Sequence, residues 1–271
     1  MKSLKIAFLV LFLGNLCSAQ VVSDRLGYMN STEIVPANGL QIEGGQMLNK
    51  DVDYASPLLR NSIKLMLRQG LSDIHEVRIG FHRENKESDL AYNFEWLSLG
   101  VKLKVASYEK LHIAAIATWG FDLRTLQNPR GPDYYLQLSV PAEYYFTEKV
   151  RIRSEIRFNH AYEQSDFNVG IATNFGENII LEGGLVNNLF LVKRGDNGDK
   201  PQWYEFSYTN VALQANIGER VALDLSVMLP LFTGAEQLDP SDGFIVKGGL
   251  SIHIPHNPWR KNKVKIEPEG Y

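Results

Sequence analysis

A single cysteine, Cys17, stands in 271 residues. No intramolecular disulfide is open to the chain, so its stability must come from backbone pairing and packing. Histidine is scarce too. The six are His75, His82, His112, His160, His253 and His256, and none sits at the spacing by which two imidazoles on one helical turn hold a metal. There is no Gly-x-Ser-x-Gly elbow and no phosphate-cradling loop. The expectation is therefore no enzyme, no catalytic residue, no metal and no cofactor. Charge of one sign is also lacking: 28 Lys and Arg stand against 31 Asp and Glu, net -3. That balance excludes nucleic acid as the expected partner. Beyond the N-terminus no run approaches the ~20 consecutive apolar residues of a membrane helix.

The N-terminus carries the one long apolar run, and it is too short to span a bilayer. Lys2 and Lys5 precede Ile6 to Leu13, and Cys17-Ser18-Ala19 ends in a small residue. This is the pattern of a secretory signal peptide over residues 1–19, with cleavage expected after Ala19. Leu16 before Cys17 is too large for a lipoprotein signal. An exported chain without a membrane helix is either a soluble protein or a barrel in an outer membrane.

What the chain does have is alternation. Apolar residues recur with period two through most of the sequence, the signature of strands. Twelve strand segments are expected: Gly39–Met47, Leu59–Gln69, Ile74–His82, Glu95–Val105, Leu111–Phe121, Tyr134–Phe146, Val150–Asn159, Phe167–Phe175, Ile179–Asn187, Tyr204–Ile217, Val221–Leu229 and Phe244–Ile254. Most have about the 9–11 residues that a tilted strand needs to cross a bilayer. In the seventh, Val150, Ile152, Ile156 and Phe158 alternate with Arg151, Arg153, Glu155 and Arg157. Charged and small polar residues share one face across many of the segments.

Period two alone does not separate a soluble sandwich from a barrel. The connections do. Short ones (70–73, 106–110, 147–149, 176–178, 218–220) alternate strictly with long ones (48–58, 83–94, 122–133, 160–166, 188–203, 230–243). Transmembrane barrels sort their connections this way, short turns on the periplasmic side and long loops outside. The expected fold is all-β, a transmembrane antiparallel up-and-down β-barrel of about 12 strands over residues 39–254. Residues 20–38 are expected as a periplasmic N-terminal segment and 255–271 as a periplasmic tail. Trp96, Trp119, Phe121, Tyr134, Tyr135, Tyr144, Tyr145, Phe146, Phe158, Phe175, Trp203, Tyr204 and Phe206 lie near strand ends and are expected to form two interfacial girdles.

Pro57-Leu58-Leu59-Arg60, Arg68-Gln69-Gly70-Leu71-Ser72-Asp73 and Glu76-Val77-Arg78-Ile79-Gly80 resemble a conserved run of the phenol-degradation meta-pathway family of outer-membrane transporters. Leu97-Ser98-Leu99-Gly100-Val101-Lys102 and Gly39 to Gly45 are similar to two further strands of that family. The resemblance covers roughly residues 39–103. It implies a barrel in the bacterial outer membrane and passive transport, with no named cargo. Lys247-x-Gly249-x-x-Ile252-x-Ile254 is similar to the C-terminal signal read by the barrel-assembly machinery, with Ile where aromatics are usual.

With the apolar beat facing lipid, the lumen is expected to receive Glu43, Lys64, Arg68, Glu76, Arg78, Lys102, Lys104, Glu143, Arg151, Arg153, Glu155, Arg157, Glu182, Asp224 and Lys247, nine basic and six acidic groups. Antiparallel pairing about the short turns is expected to set Arg68 opposite Glu76 and Glu143 opposite Arg153. Two roles follow. The charges pair and fill the interior, or unpaired members, chiefly Arg151, Arg157 and Lys102, line a water path and bias it toward anions. The functional expectation is an outer-membrane channel or transporter for small solutes. The alternative is a closed barrel with a structural or loop-mediated binding role. Expected partners are outer-membrane lipid, the assembly machinery during insertion and a small solute.

Overall fold

The computed structural model describes residues 29–50, 59–86, 94–125, 133–160, 164–176, 178–192, 202–233 and 243–255. The expected signal peptide and C-terminal tail lie outside these residues. Twelve strands are present: β1 (Leu40–Lys50), β2 (Leu59–Gly70), β3 (His75–Lys86), β4 (Phe94–Ser107), β5 (Leu111–Asp122), β6 (Tyr134–Tyr145), β7 (Val150–Asn159), β8 (Gln164–Phe175), β9 (Ile179–Val192), β10 (Gln202–Ile217), β11 (Val221–Thr233) and β12 (Phe244–Ile254). Each pairs antiparallel with its neighbour in sequence, and β1 pairs with β12 from Leu40↔Ile254 to Lys50↔Phe244. The sheet is thus a closed up-and-down barrel. Closure satisfies every edge, which a hydrocarbon environment requires.

The expected segments all appear, but several run further toward the long-loop end. β3 continues to Lys86 and β10 begins at Gln202. The polar residues that suggested loops there are tolerated because strand ends beyond an apolar belt face water. The short turns are as tight as the sequence suggests. Gly176 and Gly218 adopt φ of 65° and 61°, the left-handed region in which a side chain is costly.

Alternation divides the wall. On the outward beat, Ile63, Leu99, Val101, Ile156, Ile171, Leu185, Val211 and Leu225 are each 50–60% exposed. On the inward beat, Glu43, Arg68, Lys102, Arg153, Glu155 and Glu182 are 0–1% exposed. A soluble fold has the reverse arrangement, so the wall is built for an apolar surrounding.

Aromatic residues cap the apolar belt at both ends. Trp119 lies 5.2 Å from Phe121 and 6.4 Å from Tyr134 at the long-loop end, and Tyr144 lies 5.2 Å from Phe146 at the other. Trp96, Tyr135 and Tyr145 do not join these girdles. Trp96 is buried and packs edge-on against Tyr135 at 5.1 Å, both on the inward beat, while the Tyr145 hydroxyl donates to Glu143. Their positions in the alternation, one residue out of step with Trp119 and Tyr144, turn them inward. The side chains of Trp203, Tyr204 and Phe206 lie outside the described ones.

A lipid-facing outer wall predicts that Leu225→Lys, at a half-exposed outward position, lowers the unfolding free energy in phosphocholine vesicles by about 2–4 kcal/mol. Urea titration of the refolded protein measures it. No change would contradict the assignment of the outer face.

Candidate functional site

The barrel interior is a set of buried charges closed by a piece of the chain itself. Pro36–Gly39 forms a turn in which the Gly39 N–H donates to the Pro36 carbonyl (2.8 Å) and Asn38 takes φ 61°. Asparagine is among the few side chains that accept that conformation readily. The turn is pinned to the end of β2, because the Asn38 N–H donates to the Gly70 carbonyl and the Gly70 N–H donates to that of Gly39. Gly70 has to be a glycine on grounds of space. A Cβ there would lie 2.1 Å from the Val35 carbonyl oxygen and 2.2 Å from that of Pro36. The chain before Pro36 therefore passes over Gly70 and into the lumen, where Met29, Ser31, Thr32 and Val35 are buried.

Inside, the segment crosses from the β3 side to the β8 side. The Val35 N–H donates to Glu76 (2.9 Å), and Arg68 and Lys102 donate to the Glu33 carbonyl (3.1 and 2.6 Å). The Thr32 N–H donates to Glu143 (3.1 Å). The Asn30 N–H and side-chain amide donate to the two oxygens of Glu155 (2.9 and 2.6 Å), and Arg153 donates to the Met29 carbonyl (3.3 Å). The Met29 methyl rests against Gly170. Bonds to charged groups contribute about 1.5–3 kcal/mol each, enough in sum to hold a short segment against its chain entropy.

The same charges also pair with one another. Glu76 accepts from Arg68 (2.8 Å) and Arg78 (2.7 Å), and Arg68 reaches Glu43 as well (2.9 Å). Glu143 lies 3.3 Å from Arg153 and 3.4 Å from Arg151, and Arg153 also bonds Glu182. Arg157 joins Glu155 (3.0 Å) and Asp166 (3.5 Å). Arg151 further stacks over Tyr145 at 5.5 Å and meets Asn174. Two clusters result, one on β1–β4 and one on β6–β9, and the N-terminal segment bridges them.

The expected lumen residues thus fall into two groups. Glu43, Arg68, Glu76, Arg78, Lys102, Glu143, Arg151, Arg153, Glu155, Glu182 and Asp224 are buried on the inward beat. Lys64, Lys104, Arg157 and Lys247 share that beat but are partly or fully exposed. Glu143 stands opposite Arg153 as expected. The first hairpin differs: Arg68 faces Arg78, and Glu76 faces Gly70. Glu76 reaches Arg68 diagonally across the strands and Arg78 two residues along its own strand, which relieves the like-charge pair. Arg151, Arg157 and Lys102 do not stand unpaired, each being engaged as described. The periplasmic position expected for residues 20–38 does not hold for 29–35, which lie within the barrel.

Inward residues not singled out in the sequence include Gln41, Ser139, Asp166, Asn168, Asn210, Gln214 and His253, all buried. Their beat was legible; being neutral or close to strand ends, most did not stand out as charges do. The inward turn of residues 29–35 had one readable sign, a glycine closing β2 just before a tight turn.

The geometry separates buried from surface pairs. Arg153→Ala leaves Glu143 and Glu182 short of a cation and is expected to cost about 3–5 kcal/mol of stability. Arg83→Ala, removing a half-exposed pair with Glu95 (3.4 Å), should cost under about 1 kcal/mol. Urea unfolding of both variants checks the contrast, and equal losses would contradict it.

No family model matches the chain, and no curated protein does. Solved structures do match its fold. The chain superposes on an outer-membrane channel, COG4313, from Pseudomonas putida F1 with a TM-score of 0.58 at 13% identity, over 83% of this chain and 98% of that one. It superposes on the NanC porin with a TM-score of 0.52 at 10% identity, over 79% and 98%, and on the KdgM porin with 0.52 at 7%, over 78% and 98%. The chain, a closed barrel of twelve antiparallel strands, therefore shares its fold with proteins described as outer-membrane channels and porins.

Proposed function

We propose that this chain is a bacterial outer-membrane channel for the passive passage of small solutes, with residues 29–35 restricting its lumen. The observation that carries the reading is an asymmetry along the barrel. Near the short turns the inward side chains Glu43, Arg68, Lys102 and Arg153 are buried against residues 29–35. Toward the long-loop end the inward side chains Lys64, His82, Ser98, Gln137, Arg157 and Lys247 keep solvent exposure. On this reading water enters the long-loop half beside those residues, and a shift of the N-terminal segment opens the other half.

The strand number agrees with this. Eight strands leave room only for side chains and 16–18 leave an open pore, so twelve make a narrow lumen that a single segment of chain can occupy. The likeness to barrels described as channels and porins supports the same reading, as does the resemblance of residues 39–103 to the phenol-degradation meta-pathway family of transporters. The reading includes no catalytic step. A closed structural barrel is the second reading, favoured by the ion pairs that fill the short-turn half.

Planar-bilayer recording decides between them. A chain lacking residues 20–35 should give stepwise currents several-fold larger than those of the whole chain. Absence of any step from the folded, truncated barrel would overturn the channel reading in favour of the closed one.

A further inference from the structure

Residues 29–35 are held through their backbone. Six hydrogen bonds from the barrel wall end on the backbone of the segment. Three carboxylates, Glu76, Glu143 and Glu155, take the N–H groups of residues 35, 32 and 30. Three cations, Arg68, Lys102 and Arg153, donate to the carbonyls of residues 33 and 29. Carboxylates only accept and guanidinium or ammonium groups only donate. The wall therefore offers acceptors to the segment's N–H groups and donors to its carbonyls, along a path that bends at Thr32. Side chains take part as well: the Asn30 amide donates to Glu155, the Met29 methyl rests against Gly170, and the Ser31 hydroxyl accepts from the Glu33 N–H.

The track also continues past Met29. Gly170 on β8 stands opposite Gly184 on β9, which stands opposite Asn210 on β10. The two glycines leave this strip of wall without side chains. Flanking it are Asn168, the next inward residue of β8, and Asn210, which are 0% and 1% exposed. Neither the Asn168 amide nitrogen and oxygen nor the Asn210 amide oxygen has a hydrogen-bond partner among the described residues. Buried polar atoms in that state cost free energy until something meets them. A primary amide carries one donor group and one acceptor, the complement of a peptide unit.

We propose that the lumen contains a peptide-backbone binding track, running from Glu76 through Glu143 and Glu155 to Asn168 and Asn210, and that its ligands are short peptides. Residues 29–35 occupy the first part of the track, so a peptide binds there when they are displaced. An inorganic ion offers only one polarity and does not match a wall of separate donors and acceptors. That such peptides also pass through the barrel rests on the channel reading above, whereas binding itself does not.

Tetra-alanine and its isomer tetrasarcosine, built of N-methylglycine and so without internal amide N–H groups, distinguish backbone capture from other contacts. Two proteins are used: the chain lacking residues 20–35, and the full chain with Thr32→Pro, which removes the N–H given to Glu143 and loosens the segment while leaving the barrel sequence intact. Isothermal titration calorimetry in detergent should show tetra-alanine binding both at least about tenfold more tightly than tetrasarcosine, the factor expected of one lost bond to a charged group. The full chain without substitutions should bind it more weakly than either. Glu143→Gln combined with Glu155→Gln in the truncated chain should abolish the preference. Equal binding of the two oligomers, or no binding to either protein, overturns the proposal. If the truncated barrel conducts but binds no tetra-alanine, the track fails and the channel stands. If it binds tetra-alanine without conducting, the channel fails and the track stands.

Discussion

Charge inside a closed barrel has to be compensated where it stands. The inward beat of this wall carries arginines, lysines and glutamates that are nearly free of solvent, and an ion left alone there costs several kcal/mol. Pairing across strands removes part of that cost, as between Arg68 and Glu76 or Arg153 and Glu143. It does not satisfy every donor and lone pair. The backbone of residues 29–35 supplies much of the rest, and in doing so joins the β1–β4 cluster to the β6–β9 cluster. The interior polarity and the inward N-terminal segment are thus two parts of one solution.

The outer wall follows from the same alternation. Once one beat is committed to a polar interior, the other must meet an apolar environment, and the half-exposed leucines, isoleucines and valines are consistent with that. The turn at Pro36–Gly39 is the hinge between the two regimes. It takes a chain that is fully enclosed at Val35 and delivers it at Leu40 into a strand with one face in the lumen and one outside. The bare Gly70 is the spatial condition for that passage.

Much of this was legible in the sequence. Strand number, closure and the inward beat follow from period two and from the sorting of short and long connections, because one residue of slip would exchange the two faces of a strand. The candidate lumen charges were legible for the same reason: Arg151, Arg153 and Glu155 stand out against Val150, Ile152 and Ile156. What could not be read was partnership. Glu76 serves Arg68 diagonally because the β2–β3 register sets Arg68 against Arg78, and register inside a turn depends on backbone geometry rather than on pattern. Trp96 and Tyr135 look like girdle residues in a list and are inward in the strand. Residues 29–35 carry no periodicity at all, since a segment held by its backbone leaves little trace in its side chains.

Residues 29–35 lie in the lumen against β6 and β7. The Asn30 amide and the Ser139 hydroxyl both donate to the same oxygen of Glu155, at 2.6 and 2.5 Å. With Cys17 removed, the pair Asn30→Cys and Ser139→Cys contains the only two thiols in the chain. Mild oxidation of the folded protein in lipid should join them in an intramolecular disulfide, seen as a linked peptide after proteolysis and mass spectrometry, with a yield independent of protein concentration. Two free thiols after oxidation of the folded barrel would contradict the account.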